Sequence, residues 1–299
     1  MGAPNYVSPR ALAKALGFSE SSVKRWTDDG RLSAERTAGG HRRIARSEAI
    51  RFVRENGLSL VDPGSLGLPN GDASPVTAGR LDGIEPALAA LLEDGSGVES
   101  RALVLSSYLE GQSIAALVDG PIRGAMAQIG ALWKEPGGAA SIAIEHRATD
   151  ICSQTLYELE SLLPSIDSSS PVAVGGAPEG DPFALPTLGA ALTLREAGYR
   201  AVNLGPNTPL RAIEAAANTL RADLIWVSVS RPLDRERGLE SRLRRLGAGL
   251  EGSNREVVVG GRSAETILTG DCSAVRRLST MRDLSRLAES RLSRMSRRA

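Results

Sequence analysis

The spacing of apolar positions predicts two short helices near the start of the chain. One spans Pro9–Leu16, with Ser8 as its N-cap and Pro9 at the first helical position. Gly17-Phe18-Ser19 makes a tight turn, and a second helix follows over Glu20–Asp28. Helix, short glycine-containing turn and helix together form the helix-turn-helix pattern. Beyond Asp29-Gly30 the pattern predicts a short strand near Leu32. Then comes the loop Arg36-Thr37-Ala38-Gly39-Gly40-His41-Arg42-Arg43, whose glycines allow a hairpin tip. This block covers residues 1–56.

Residues 57–78 are rich in Gly, Pro and Ser without periodicity and read as a linker. Residues 79–165 are helical in pattern, with segments near 81–93, 98–117, 121–134 and 139–163, which predicts a four-helix bundle. After a polar break the period changes. Short apolar strands at Val172–Val174, Ala201–Leu204, Leu224–Ser230 and Glu256–Val259 alternate with helical runs at 186–197, 209–221 and 238–250. That alternation predicts a doubly wound parallel α/β domain over 170–272. The Arg- and Ser-rich residues 273–299 read as a basic terminal helix that frays. The predicted class is therefore multidomain α and α/β.

Composition narrows the function. A hydrophobic share of 41% with 24% charge is ordinary for a globular chain, and aromatics at 3% leave the cores to aliphatic side chains. No run approaches the ~18 apolar residues of a membrane span, and Met1–Tyr6 is neither a secretory signal nor a myristoylation site. These features predict a cytoplasmic protein with no membrane partner. Cys152 and Cys272 stand far apart without metal-ligand spacing and read as free buried thiols. The net charge of +1 conceals an asymmetry, because residues 1–56 hold eleven Lys/Arg against six Asp/Glu. A basic first block suits a polyanion.

The order VSPRALAKALGFSESSVKRWTDDGRL…RTAGGHRRI closely resembles the MerR family over Val7–Val53, with recognition helix and wing at the family's spacing. The resemblance implies a winged helix-turn-helix that binds double-stranded operator DNA. It places Ser21, Ser22, Lys24 and Arg25 on the recognition helix, and Arg36, His41, Arg42 and Arg43 on the wing against phosphate or minor groove. Trp26 is expected to pack between recognition helix and wing. The resemblance suggests repression and a symmetric dimer or tetramer, so a homo-oligomer is implied.

Bundle and sheet domain behind such a head resemble the CarH/LitR-type cobalamin-dependent photoreceptor repressors, whose sensory half is a Rossmann-like cobalamin-binding module. In that family a Trp and a Glu-His pair from the bundle cap the adenosyl group of adenosylcobalamin; Trp133, Glu145 and His146 match them. The family's Asp-x-His-x-x-Gly loop ligates cobalt from below. Here the stretch is Asp181-Pro182-Phe183-Ala184-Leu185-Pro186, so Asp181 is kept while Phe183 replaces the ligand histidine and Pro186 the glycine. Ser228, Ser230, Gly260 and Gly261 match the residues lining the slot for the cofactor's nucleotide tail. The residue after the capping Trp, often a second histidine, is Lys134.

The only histidines are His41 and His146, and His41 belongs to the DNA-binding wing, so bis-histidine ligation of cobalt within one chain is excluded. A phenyl ring has no lone pair for a metal. Buried in the imidazole's place, Phe183 would add about 1.5–3 kcal/mol of apolar packing. Three readings follow: a regulator that has lost histidine-ligated cobalamin; a light-sensing repressor that binds adenosylcobalamin with no protein ligand to cobalt; and a corrinoid carrier or enzyme. The last leaves the DNA-binding head unexplained, so the chain is read as no enzyme.

Overall fold

In the computed structural model the described residues are 6–69, 83–132, 139–232, 238–250, 253–267 and 275–297. They form two compact units, Met1–Ser113 with Gly120–Ser165, and Ile114–Asp119 with Ile166–Ala299.

The first unit opens with β1 (Tyr6–Val7), α1 (Pro9–Leu16) and α2 (Glu20–Asp28), followed by β2 (Glu35–Arg36), β3 (Arg42–Ala45) and α3 (Arg46–Glu55). The predicted cap is present: Ser8 Oγ accepts from the Ala11 amide. In the expected turn, Gly17 ends α1 in the left-handed region that a side chain resists, and Ser19 also caps α2 by accepting from Ser22 N. The strands form an antiparallel sheet in the order β1-β3-β2, with Arg36 opposite Arg42. A turn closes the hairpin, Gly40 N donating to Thr37 O at 2.8 Å. The first strand of the hairpin thus lies at Glu35–Arg36 and not near Leu32, whose side chain is buried in the core.

Two readings of the first unit need correction. Residues 58–68 are not free linker. A 3-10 turn at Pro63–Leu66 buries Leu66 and Leu68 and packs on α1, and the amides of Val61 and Asp62 donate to Ala15 O. Residues 70–78 of the expected linker, with residues 79–82 at the bundle's start, lie outside the described residues. Second, the expected helix 98–117 is broken. α5 (Gly97–Leu109) stops at a turn that Gly111 makes with φ 102°, a backbone angle that favours glycine. Four helices pack together as the bundle: α4 (Ile84–Asp94), α5, α7 (Arg123–Ala131) and α8 (Ala139–Leu162).

The short helix α6 (Ile114–Leu117) and Val118–Asp119 belong to the second unit. There the strands β4 (Val172–Gly176), β5 (Arg200–Asn203), β6 (Leu224–Ser228), β7 (Glu256–Gly260) and β8 (Val275–Arg277) form a parallel sheet ordered β5-β4-β6-β7-β8. Numbered within the unit that order is 2-1-3-4-5, a doubly wound sheet with its topological switch between β4 and β6. Alternate residues face opposite layers. Val174, Ile225, Val227, Val257 and Val259 pack with α10 (Leu210–Thr219) and α11 (Leu239–Ala248). Ala173, Leu224, Trp226 and Val258 pack with α9 (Ala184–Glu196) and α13 (Met281–Ser296). A short helix α12 (Ala264–Ile267) follows β7.

The terminal segment is therefore not a fraying tail. It supplies the fifth strand and a helix that buries Leu284, Leu287 and Ala288 under the sheet, so the α/β domain extends well past residue 272. Leu284→Ala and Leu287→Ala are each expected to lower the sheet unit's unfolding free energy by about 2–5 kcal/mol, measured by urea titration of the full chain. Values within ~0.5 kcal/mol of zero, usual for an exposed position, would contradict this packing.

Candidate nucleic-acid interface and sheet-edge site

The head presents α2 and the wing hairpin. Ser21 is exposed, and its hydroxyl lies 2.8 Å from the Ser19 cap, with Ser22 Oγ at 2.9 Å from the same oxygen. Lys24 pairs with Glu20 one turn earlier at 2.8 Å. Arg42 pairs with Asp28 of α2, which ties wing to recognition helix. Arg43 reaches Glu35 across the hairpin at 2.6 Å while its guanidinium lies 4.2 Å from the centre of the Tyr6 ring. Arg25, Arg36 and His41 are exposed, and among the described residues their side chains make no hydrogen bond or ion pair. All eight sequence-predicted positions thus lie on α2 or the wing, but the cations divide into paired and unpaired sets.

Trp26 packs among aromatic rings of the turn and of the next helix. Its ring stands 5.3 Å from Phe18 in the turn and 5.1 Å from Phe52 of α3, so it joins the helix-turn-helix to the following helix. Several basic residues of the head face inward. Arg46, only 4% exposed, donates to Leu66 O at 2.7 Å, Gly67 O at 3.0 Å and Ser161 Oγ at 3.1 Å. Burial pulls its pKa below the usual guanidinium value, opposed by the nearby Glu158 carboxylate. Arg54 donates to Tyr108 O at 2.6 Å and Gln112 O at 3.1 Å, and its guanidinium stacks 3.6 Å from the Tyr108 ring centre. These contacts fasten α3 to the bundle within the first unit. The basic count alone gave no sign of them.

On α8 the Glu145-His146 pair is a local one. His146 Nδ1 lies 3.1 Å from Glu145 Oε2 and 2.9 Å from Ile142 O, and Glu145 also accepts from Thr149 Oγ1 at 3.0 Å. The imidazole is exposed. Trp133 and Lys134 lie outside the described residues. Cys152 is a free buried thiol that desolvation pushes up to about 12, and Cys272 lies outside the described residues. Among the described residues no group of His, Cys, Asp and Glu could hold a metal ion, and no helix is long and apolar enough to cross a membrane.

In the second unit the remaining predicted positions meet at the carboxyl ends of the strands. Asp181 is fully buried. Its Oδ1 accepts from Phe183 N at 3.1 Å and its Oδ2 from Ser230 N at 2.5 Å, so one carboxylate ties the loop after β4 to the loop after β6 across the switch point. Asn207, at φ 52°, adds a bond from Gly180 N to its Oδ1. Ser228 and Ser230 are buried, and Ser230 Oγ has no hydrogen-bond partner among the described residues. Gly260 pairs with Ser228 in the sheet. A Cβ on Gly261 (φ 105°) would lie 2.4 Å from Val229 O, so this close strand-to-helix turn requires the glycine.

Phe183 is not buried. It is 40% exposed while its backbone amide is held by Asp181 Oδ1, so the expected full burial, and part of its packing contribution, is missing. Sequence reasoning also missed Trp226. Its ring fills the room above Gly175, where a Cβ would come within 2.2 Å of it, and its Nε1 donates to Thr187 Oγ1 at 3.1 Å. Thr187 in turn donates to Asn203 Oδ1 at 2.9 Å. A tryptophan on an interior strand directly beside a glycine was the available signal.

Residues 6–57 match the family model described as a helix-turn-helix domain. No curated protein matches the chain. Among solved structures, the chain is similar to the methanol:cobalamin methyltransferase complex MtaBC of Methanosarcina barkeri, at 15% identity over 75% of this chain and 86% of that one, with a TM-score of 0.36. It is also similar to the monomethylamine corrinoid protein of the same organism, at 13% identity, 69% and 97% coverage and a TM-score of 0.48. A cobalamin-binding protein of Desulfitobacterium hafniense DCB-2 is 15% identical, with 69% and 97% coverage and a TM-score of 0.34. These likenesses concern fold alone. The architecture is a helix-turn-helix domain, a helical bundle and a doubly wound parallel α/β domain.

Proposed function

We propose that this chain is a cytoplasmic transcription regulator of the MerR, CarH/LitR-like type, most simply a repressor, and not an enzyme. The observation that carries the reading is the pairing of a capped recognition helix with a basic hairpin wing, joined by the Arg42–Asp28 ion pair. The unpaired Arg25 and Arg36 supply charge where phosphates and base edges would lie, since each phosphate contact releases counterions and base contacts add specificity. A symmetric operator calls for a second copy of the chain.

Cobalamin is the group that the fold type implies, and the residues present do not suit histidine ligation of cobalt. The second unit contains no histidine at all. Its loop offers a carboxylate engaged by two backbone amides, a proline without an N–H, and an outward phenyl ring. The glycine space at the switch point is filled by Trp226. We therefore assign the sheet unit a sensory or oligomerising role without a cobalt ligand from the protein, and DNA binding that is the same in light and dark. One observation favours a second reading, a corrinoid or other small molecule held without such a ligand: the buried Ser230 hydroxyl could bond a polar group at this edge.

DNA binding is tested by titrating a fluorescent duplex across a salt series. Replacing Arg25 and Arg36 together by Ala should weaken binding and reduce the slope of log K against log salt by about 1 for each phosphate no longer neutralised. Unchanged affinity and slope would reject the interface. Asp181→Asn puts an amide where two N–H donors converge, and should cost the sheet unit about 1–3 kcal/mol of stability, read in urea. An unaltered midpoint would show that the carboxylate does not hold these loops.

A further inference from the structure

Lys24, Arg42 and Arg43 each carry an acidic partner, and backbone spacing sets every pair. Glu20 and Lys24 stand one turn apart on α2, with Oε1 2.8 Å from Nζ. Glu35 and Arg43 are directly opposite one another on β2 and β3, so their side chains leave the sheet on one face. There Arg43 donates twice to Glu35 Oε2, at 2.6 and 2.9 Å. The Tyr6 hydroxyl donates to Glu35 Oε1 at 3.3 Å, and its ring lies under the Arg43 guanidinium. Asp28, at the end of α2, takes Arg42 from the start of β3. Arg25 and Arg36 make no ion pair among the described residues. The whole arrangement lies within the head.

These pairs are open to water. The Asp28 side chain is 58% exposed and that of Glu35 55%, and ion pairs so exposed contribute little to stability. Their effect on a second anion is larger. A phosphate that approaches Lys24, Arg42 or Arg43 meets a like charge already bonded to the cation, and must displace it. The pairs are weak enough to open and close enough to compete.

We propose that Glu20, Asp28 and Glu35 form a carboxylate screen that competes with DNA phosphates for Lys24, Arg42 and Arg43, and so sets how tightly the head holds DNA of any sequence. The screen deepens the proposed DNA-reading function and rests on it. Sequence-independent affinity comes from cations that neutralise phosphates. Where an acid on the protein already neutralises the cation, that grip is weaker. Base contacts from Ser21, Ser22 and Arg25 on α2 then make up a larger share of the binding free energy. The three acids thereby determine specificity without reading a base.

Titration of a fluorescent mixed-sequence duplex with the full chain, across a salt series, tests the screen. Asp28→Asn and Glu35→Gln keep the shape of each side chain and one acceptor oxygen for the partner arginine, so the wing stays in place. Each should steepen the fall of log K with log salt by about 1 and tighten binding roughly fivefold to tenfold at about 0.1 M salt. The double variant should show both increments. Glu55→Gln, the same charge change beside Arg51 on α3, should leave slope and affinity as they are. If the acids only brace the wing, Asp28→Asn and Glu35→Gln will bind this duplex more weakly than the native chain, and the screen is overturned. Unchanged binding, or an equal gain from Glu55→Gln, overturns it as well. A native chain that binds while the variants gain nothing rejects the screen alone. Failure of every form to bind duplex rejects the DNA-reading function and the screen with it.

Discussion

A guanidinium sealed inside a small domain needs acceptors on every side, and at Arg46 that requirement organises the first unit. A head of some 50 residues buries too little apolar surface to be more than marginally stable alone. Arg46 recruits carbonyls from Leu66 and Gly67, and this orders a segment whose composition favours flexibility; with the Ser161 hydroxyl it also reaches α8. The same arginine would be costly to bury without those partners. Arg54 repeats the arrangement at α5 with an aromatic ring as one wall. Two cations counted in the basic first block are thus the fasteners of the helix that follows the wing.

The sheet unit applies the same rule with the opposite sign of charge. Asp181 is stable at zero exposure because backbone amides from two loops converge on it, one of them that of Phe183. Asp119 does likewise at the start of α13, where a carboxylate meets unsatisfied amides and the positive end of the helix dipole. Both acids act through the backbone, so they hold loop and helix ends whatever side chains surround them.

Features encoded by period and capping were legible in the sequence. Ser8 and the Gly17–Ser19 turn marked α1 and α2, and short apolar runs between helical patterns marked β6 and β7. What stayed hidden depends on distant partners. The two-residue β1 carries no period, and residues 58–68 are ordered by Arg46 and by Ala15 O and not by their own pattern. Val275–Arg277 is a three-residue edge strand with exposed arginines, so its basic composition masked it. Charge counts could not separate Arg25 and Arg36 from Lys24, Arg42 and Arg43, whose acidic partners sit one turn away or across a hairpin. For the ligand question the informative signal was a missing residue type, since the sheet unit has no histidine.

In the proposed regulator, a helix-turn-helix head is joined to a doubly wound unit whose residues do not suit histidine ligation of cobalt. The visible absorption spectrum of the purified full chain, mixed with adenosylcobalamin and separated from the free cofactor, tests it most directly. The account predicts either no retained colour or the spectrum of a cofactor keeping its own base on cobalt, unchanged by Phe183→Ala. A retained corrinoid whose own base has been displaced by a nitrogen ligand of the protein would contradict it.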